Sequence, residues 1–200
     1  MSREKQYKRE ELLDTAIGIF RRNGYHATST AELTEELNIN KKTMYAEFGS
    51  KLDLFEATLE HYNQTFLSLI LAPIEKKNAG LEDIVSVFNS ISEYGSRELY
   101  GLGCLLCNTS AERGSLDPCL GPAIDQYFQR IHSGFEQSLL NYKNSTKTKK
   151  LFDHKNTAAF LTTALIGLAT SVRAKAPKEQ LQATCTFVED YLASVGNWTH

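Results

Sequence analysis

Residues 24 to 55 read GYHATSTAELTEELNINKKTMYAEFGSKLDLF, and their spacing predicts two short helices joined by a tight turn and followed by the capped start of a third. Leu33 and Leu37 are four apart on one helical face, Asn38-Ile39-Asn40 interrupts the pattern, and Met44 and Phe48 resume it. Asn38 is the residue expected to enter the left-handed region, which asparagine tolerates best after glycine. Asn40 is placed to N-cap the second helix, its side-chain oxygen accepting from a free backbone N–H one turn in. With Ile39, Met44 and Phe48 turned to packing, the outward face carries Lys41, Lys42, Thr43 and Tyr45. Two amines, a hydroxyl and a phenol are donors for phosphates and base edges, and the first turns of a groove-reading helix are where such groups act.

The flanks agree. Leu13, Ala16, Ile17 and Phe20 follow the spacing of an amphipathic helix that stops at Asn23-Gly24. Thr28, Ser29 and Thr30 put three hydroxyls at the start of the next helix, where free N–H groups and the positive dipole end favour a phosphate. Ser50 with Asp53 three residues on resembles a capping box, which starts a new helix near Lys51 and sets that lysine beside the groove-reading helix. Glu47 is a carboxylate close to a phosphate backbone. It points away, pairs with a lysine, or accepts from a cytosine amine.

This segment resembles the DNA-binding domain of the TetR/AcrR family of one-component transcriptional repressors. The resemblance rests on Phe20 with Gly24-Tyr25, then Thr28-Ser29-Thr30, Leu33, Ile39, Lys41, Thr43, Met44-Tyr45, Phe48, Ser50-Lys51 and Leu54-Phe55. It implies an all-α chain of about nine helices: a three-helix helix-turn-helix domain over residues 1–50, and a helical ligand-binding and dimerisation domain over residues 51–200. DNA contacts are expected from Thr28, Ser29, Thr30, Asn40, Lys41, Lys42, Thr43, Tyr45 and Lys51.

Composition sets bounds. A chain of 200 residues that is 42% hydrophobic can build a small reading domain and a larger one with its own core. Residues 1–51 hold nine lysines and arginines against eight carboxylates, a net of +1 in a chain of net −2, so any nonspecific affinity for nucleic acid is expected to be modest and salt-sensitive. Arg3, Lys5, Lys8 and Arg9 gather at the start, as a basic arm near DNA or as a solvated tail. No apolar run reaches the ~18 residues of a membrane span, and MSREKQYKRE lacks the apolar stretch of a signal peptide, so the expected location is the cytoplasm.

Beyond Lys51 the pattern is helical throughout. One long helix is predicted to about Leu71, ending before Pro73, then helices over about 81–99, 104–113 and 122–142, and a polar loop over 143–150 (KNSTKTKK). The last two, about 156–175 and 178–195, carry the stripes Leu161, Leu165, Leu168, Val172 and Leu181, Cys185, Val188, Leu192, Val195. The small residues Ala158, Ala164, Gly167 and Ala169 permit close approach of another helix. The resemblance implies that these two helices build a homodimer interface, with the stripes divided between that interface and each protomer's own core. Two-fold symmetry also follows from reading a palindrome with a helix-turn-helix.

GLGCLLCNTSAERG, residues 101–114, resembles a pattern in one branch of the family where a short helix flanks the effector cavity. Cys104, Asn108 and Glu112 share one helical face, looking into a pocket or tying neighbouring loops. Phe88, Tyr94, Tyr127, Phe128 and Phe160 join them as candidate pocket walls for a small-molecule effector of unspecified chemistry. Cys104-Leu-Leu-Cys107 has the spacing of a redox motif, but no second cysteine or histidine pair completes a metal site, so no metal and no cofactor is expected. The leading reading is a dimeric repressor, not an enzyme, released from a double-stranded DNA operator by an effector. The alternatives are a thiol-based redox or electrophile sensor using Cys104 and Cys107, and a CxxC thiol oxidoreductase.

Overall fold

The computed structural model describes residues 7–145 and 152–196, and every regular element among them is helical. Arg3, Lys5 and residues 146–150 of the polar segment lie outside the described residues. In chain order the helices are α1 (Arg9–Ala27), α2 (Thr30–Glu36), α3 (Lys41–Phe48), α4 (Lys51–Tyr62), α5 (Ser68–Glu75), α6 (Leu81–Gly95), α7 (Leu105–Ala111), α8 (Gly121–Ser145), α9 (His154–Arg173) and α10 (Lys178–Gly196). A π-helical turn, Asn63–Leu67, joins α4 to α5 without a break, so the described residues form nine continuous rods.

The turn chemistry behaves as the sequence predicts. Asn38 sits at φ 52°, Asn40 Oδ1 accepts from Thr43 N at 2.8 Å, and Ser50 Oγ accepts from Asp53 N at 3.1 Å. Gly24 takes φ +80° and interrupts α1, although helical residues resume as far as Ala27. Leu13, Ala16, Phe20, Leu33, Met44, Phe48 and Phe55 close a small core beneath α1 to α4. Phe20 meets Phe55 edge-on at 4.7 Å, and Tyr25 lies 4.8 Å from the same ring. Ile17, expected inside, is only partly buried at the edge of that core.

The long connecting helix departs from expectation in two ways. It runs past Pro73 to Glu75, because Pro73 sits late in α5 and Leu69, whose carbonyl loses its helical donor there, is 75% exposed and open to water. It also widens into the π turn, which frees the Asn63 carbonyl. Ser68 Oγ donates to that oxygen at 2.9 Å and Arg130 of α8 at 3.2 Å, while Arg130 also reaches Asn63 Oδ1, Ser68 Oγ and the Glu75 carboxylate.

In the body, α8 packs on α9, α10 on α6, and α5 on both α6 and α8. Leu161, Leu165, Leu168 and Val172 of α9 and Leu181, Cys185, Val188 and Leu192 of α10 are all buried within the protomer. Both stripes therefore serve its own core, as do Ala158 and Ala169. Phe160 and Phe187, at 45% and 64% exposure, lie on the outer face instead. α1 packs on α4 and α7, which joins the N-terminal helices α1 to α3, the head, to the remaining helices, the body.

Because Ser50 caps α4 through its hydroxyl, Ser50→Ala is expected to cost about 1 kcal/mol, roughly 2–4 °C in melting temperature for a chain of this size, and Ser50→Gly only a few tenths of a kcal/mol. Thermal denaturation followed by circular dichroism checks this. Equal melting temperatures for Ser50→Ala and the parent would contradict the cap.

Candidate nucleic-acid interface and thiol core

The α3 helix buries Met44 and Phe48 and turns the opposite face to solvent. Lys41 and Lys42 are exposed, Thr43 is half-buried, and Tyr45 is 42% exposed with the Lys41 ammonium 5.9 Å from its ring centroid. Beyond the Asn40 cap and the contact between Lys41 and Tyr45, two cations and a phenol face solvent on one convex side. Lys51 joins from the start of α4, its ammonium 4.3 Å over the Tyr25 ring. Partial burial lowers its pKa, and the nearby Glu112 carboxylate works against that.

The hydroxyls of 28–30 are more committed than the sequence suggests. Thr28 is buried and donates to Gly24 O at 2.6 Å. Ser29 caps α2, accepting from Glu32 N at 3.1 Å while the Glu32 carboxylate accepts from Ser29 N. Thr30 is half-buried. Glu47 pairs with an arginine rather than a lysine: Arg9 donates to its carboxylate at 3.2 Å and to its backbone oxygen at 2.9 Å. Tyr7 donates to the other carboxylate oxygen at 3.1 Å, and the Arg9 guanidinium rests 4.5 Å from the Phe48 centroid. Glu47 thus fastens the start of α1 to the back of α3.

The expected effector walls do not form one chamber. Phe88 is buried and stacks on Phe135 at 5.9 Å, Tyr94 is half-exposed beside Phe66, and Phe160 faces outward near Tyr191. Asn108 ties a loop by donating to Leu102 O at 2.8 Å. Glu112 reaches the head, accepting from His26 N at 3.4 Å.

Cys104, Cys107, Tyr127 and Phe128 do come together, with Phe128 tilted against Tyr127 at 5.1 Å. Cys104 is the N-cap of α7, and the Tyr127 hydroxyl lies 3.3 Å from its sulfur and 3.5 Å from that of Cys107. Both thiols are buried and free. Burial pushes the Cys104 pKa up, but hydrogen bonds from the Cys107 thiol, Tyr127, the Cys107 N–H and Tyr62 outweigh it and bring the thiol to about 6. Cys107 moves the other way, well above an ordinary thiol, because its proton is held by Cys104 and the site is dry. Beside the pair is an apolar void of about 10 Å³ lined by Tyr62, Phe66, Ile91, Leu99, Ala169 and Val172, hardly room for one water.

The sequence alone did not single out the groups that join this core to the head. Arg21 of α1 is 6% exposed and donates to Gly103 O from Nε at 3.0 Å and from a terminal nitrogen at 2.7 Å. The same terminal nitrogen donates to the Tyr62 hydroxyl at 3.3 Å, and the guanidinium lies over the Tyr62 and Phe66 rings at 5.1 and 5.3 Å. Arg173 of α9 crosses in the opposite direction, donating to the backbone oxygens of Arg21 and of Arg22, the latter at 2.9 Å, and to Gly101 O at 3.3 Å. Those carbonyls of α1 end a run of helix at Gly24, so Arg173 caps a negative helix end. Gly103, at φ +66°, has no room for a side chain: a Cβ would stand 2.9 Å from Arg173 Cβ and 3.1 Å from Ala169 O. One signal was present in the sequence. Arg21 continues the four-residue spacing of Leu13 and Ile17, and Arg173 that of Leu165 and Ala169, each a charge placed on an apolar stripe.

Residues 12–58 match the family model described as bacterial regulatory proteins, tetR family. The HTH-type transcriptional repressor ComR of Escherichia coli K12 is 28% identical over 184 residues, 90% of this chain and 86% of that protein. BdcR, an HTH-type transcriptional repressor of the same organism, is 27% identical over 197 residues, covering 96% and 93%. Among solved structures, a cysteine mutant of the TetR family transcriptional regulator CifR, complexed with 26-bp double-strand operator DNA, superposes with a TM-score of 0.78 at 23% identity, covering 95% of this chain and 98% of that one. With the helix-turn-helix geometry of α2 and α3, the matched residues 12–58 form a tetR-family DNA-binding domain, and the chain along most of its length resembles HTH-type transcriptional repressors in sequence and a TetR-family regulator in fold.

Proposed function

We propose that the protein is a dimeric repressor that reads a palindromic double-stranded DNA operator with α3 in the major groove. Lys41, Lys42, Thr43 and Tyr45 meet base edges and phosphates, and Lys51, Ser29, Thr30 and the Asn40 turn fix its register. The observation that carries this is the free convex face of α3, whose other side is committed to the core through Met44 and Phe48. Residues 1–50 act as the head and 51–200 as the regulatory body. The homodimer forms through α9 and α10, on the outer face that leaves Phe160 and Phe187 exposed around an apolar groove of about 350 Å³ with Ala164, Ala183 and Val188. That face is what a helical dimer seam requires.

Release from DNA follows a change in the body that moves α1 and α4. A small-molecule effector has room in the cleft of about 310 Å³ between α4 and α8, with Leu59, Leu106 and Pro122 as apolar walls and Gln126 as a polar one. A specific observation favours the second reading, thiol sensing: Cys104 and Cys107 lie side by side in the core, both within hydrogen-bond reach of the Tyr127 hydroxyl, with hydrogen bonding drawing the Cys104 pKa down and pushing that of Cys107 up. The CifR structure is that of a cysteine mutant, which is in keeping with that reading. An oxidoreductase acting on protein dithiols is disfavoured, because both sulfurs are buried beyond the reach of a docking substrate.

Operator affinity is measured by fluorescence anisotropy on DNA selected from a random pool. Tyr45→Ala and Lys41→Ala are each expected to weaken binding about tenfold, on the scale of 1–3 kcal/mol for a base contact. Lys51→Ala is expected to lower the salt slope by about 0.9 without changing sequence preference. Unchanged affinity in both α3 variants would contradict the interface. Phe187→Glu is expected to yield monomers by light scattering, and a retained dimer would move the seam elsewhere.

A further inference from the structure

Glu47 is the single carboxylate of α3. Thr43 and Glu47, four residues apart, share one edge of the outward face, as Lys41 and Tyr45 share the other. A helix with its side chains is about 10–12 Å across and the major groove about 12 Å wide, so both edges of a docked α3 face phosphate ridges. The Lys41 edge suits that neighbour, whereas a bare carboxylate on the Glu47 edge would be repelled. In the structure the carboxylate is covered. Arg9 Nη1 donates to Glu47 Oε1 at 3.2 Å and to Glu47 O at 2.9 Å, Tyr7 donates to Oε2 at 3.1 Å, and the Glu47 side chain is left 10% exposed.

The group that covers the acid also faces solvent. The Arg9 side chain is 44% exposed and its guanidinium rests 4.5 Å from the Phe48 centroid, so it is held both at one nitrogen and across its face. In a planar guanidinium the edge formed by Nε and Nη2 points directly away from Nη1. With Nη1 spent on Glu47, that edge is turned away from the carboxylate, and among the described residues it meets no acceptor. It carries two parallel N–H groups, the fork that matches two oxygens of one phosphate. α1 starts at this same residue with no side-chain cap from Lys8, which adds the positive end of a helix.

We propose that Arg9 is a phosphate clamp on the Thr43–Glu47 edge of α3, and that Glu47 is its positioning residue. This rests on the reading of α3 as the groove-reading helix, and adds to it a contact supplied by α1 and a role for the one acid of α3. Glu47 fixes a terminal nitrogen and the Phe48 ring fixes the guanidinium face, so the Nε–Nη2 edge meets the DNA already oriented and little side-chain entropy is lost on binding. The ligand is the phosphodiester backbone, so the clamp sets register and carries no sequence information of its own. α3 is then gripped at both edges, by Lys41 on one side and by Arg9 on the other.

The test uses the full-length protein and operator DNA selected from a random pool, with each backbone phosphate of a half-site replaced in turn by a neutral methylphosphonate and affinity read by fluorescence anisotropy. The parent is expected to lose about tenfold at each contacted phosphate. Arg9→Gln is expected to bind the intact operator about tenfold more weakly, with the salt slope lower by about 0.9. It is further expected to become insensitive, within about twofold, to the methylphosphonate at one of those phosphates while keeping the penalties at the others. Arg9→Lys keeps a cation beside Glu47 without the fork, and is expected to cut the same penalty below about threefold; it carries the test if Arg9→Gln does not fold by circular dichroism. Glu47→Ala removes a negative charge from the groove edge, which by charge alone would tighten binding. It is expected instead to weaken binding and to cut that same penalty below about threefold. If the parent selects no operator, the α3 reading falls and the clamp with it. If the parent binds and the Arg9 variants keep its penalty at every phosphate, the α3 reading stands, Arg9 only ties α1 to α3, and the clamp is overturned. If Arg9→Gln loses one penalty and Glu47→Ala retains it in full, the positioning role of Glu47 is overturned.

Discussion

The position of the reading head depends on how the Arg21 guanidinium is satisfied. A charge buried to 6% exposure is tolerated where its donors are hydrogen-bonded, and leaving them unsatisfied costs upward of about 3 kcal/mol. Here the acceptors are Gly103 O and the Tyr62 hydroxyl, both supplied by the body and the connecting helix. Arg173 answers from the other side by capping the carbonyls of α1. The two arginines cross between head and body, so neither part can turn without unpairing a buried cation.

That constraint makes regulation intelligible in energetic terms. Moving a two-state equilibrium from mostly bound to mostly released takes about 5.5 kcal/mol of preference for one state. The cost of unpairing one buried charge is of that size, yet below the roughly 5–15 kcal/mol that holds a domain folded. The π turn at Asn63–Leu67 and its Arg130 fork lie on the same connecting rod, placing a second set of breakable polar contacts along the path from body to head.

Much of the head was legible in the sequence, because its elements are fixed by local rules. Asn38 in the left-handed region, Asn40 and Ser50 as caps, and Met44 and Phe48 facing inward all follow from interactions within a few residues of one another. The body was legible only as periodicity. Which face of α9 and α10 belongs to the protomer depends on partners far away in sequence, and the stripe that looked available for a dimer is filled by α6 and α8. Pro73 was misjudged as a stop because its helical position, and not its identity, decides the cost. Arg21 and Arg173 were missed because a charge on an apolar stripe reads as a surface residue until its distant carbonyl acceptors are in view. The grouping of Cys104 with Cys107 was visible in the spacing, whereas their Tyr127 partner comes from another helix.

The most direct test of the account measures the distance between the two α3 helices of the proposed dimer, using pulsed electron resonance with a genetically encoded spin label at position 42. For the reduced protein on operator DNA, the account predicts one narrow distribution compatible with successive major grooves, about 34–36 Å or a multiple of that turn between half-site centres. It further predicts that Arg21→Lys in the absence of DNA broadens and shifts that distribution. An Arg21→Lys protein whose distances match the parent would contradict the claim that the buried guanidinium sets the position of the head.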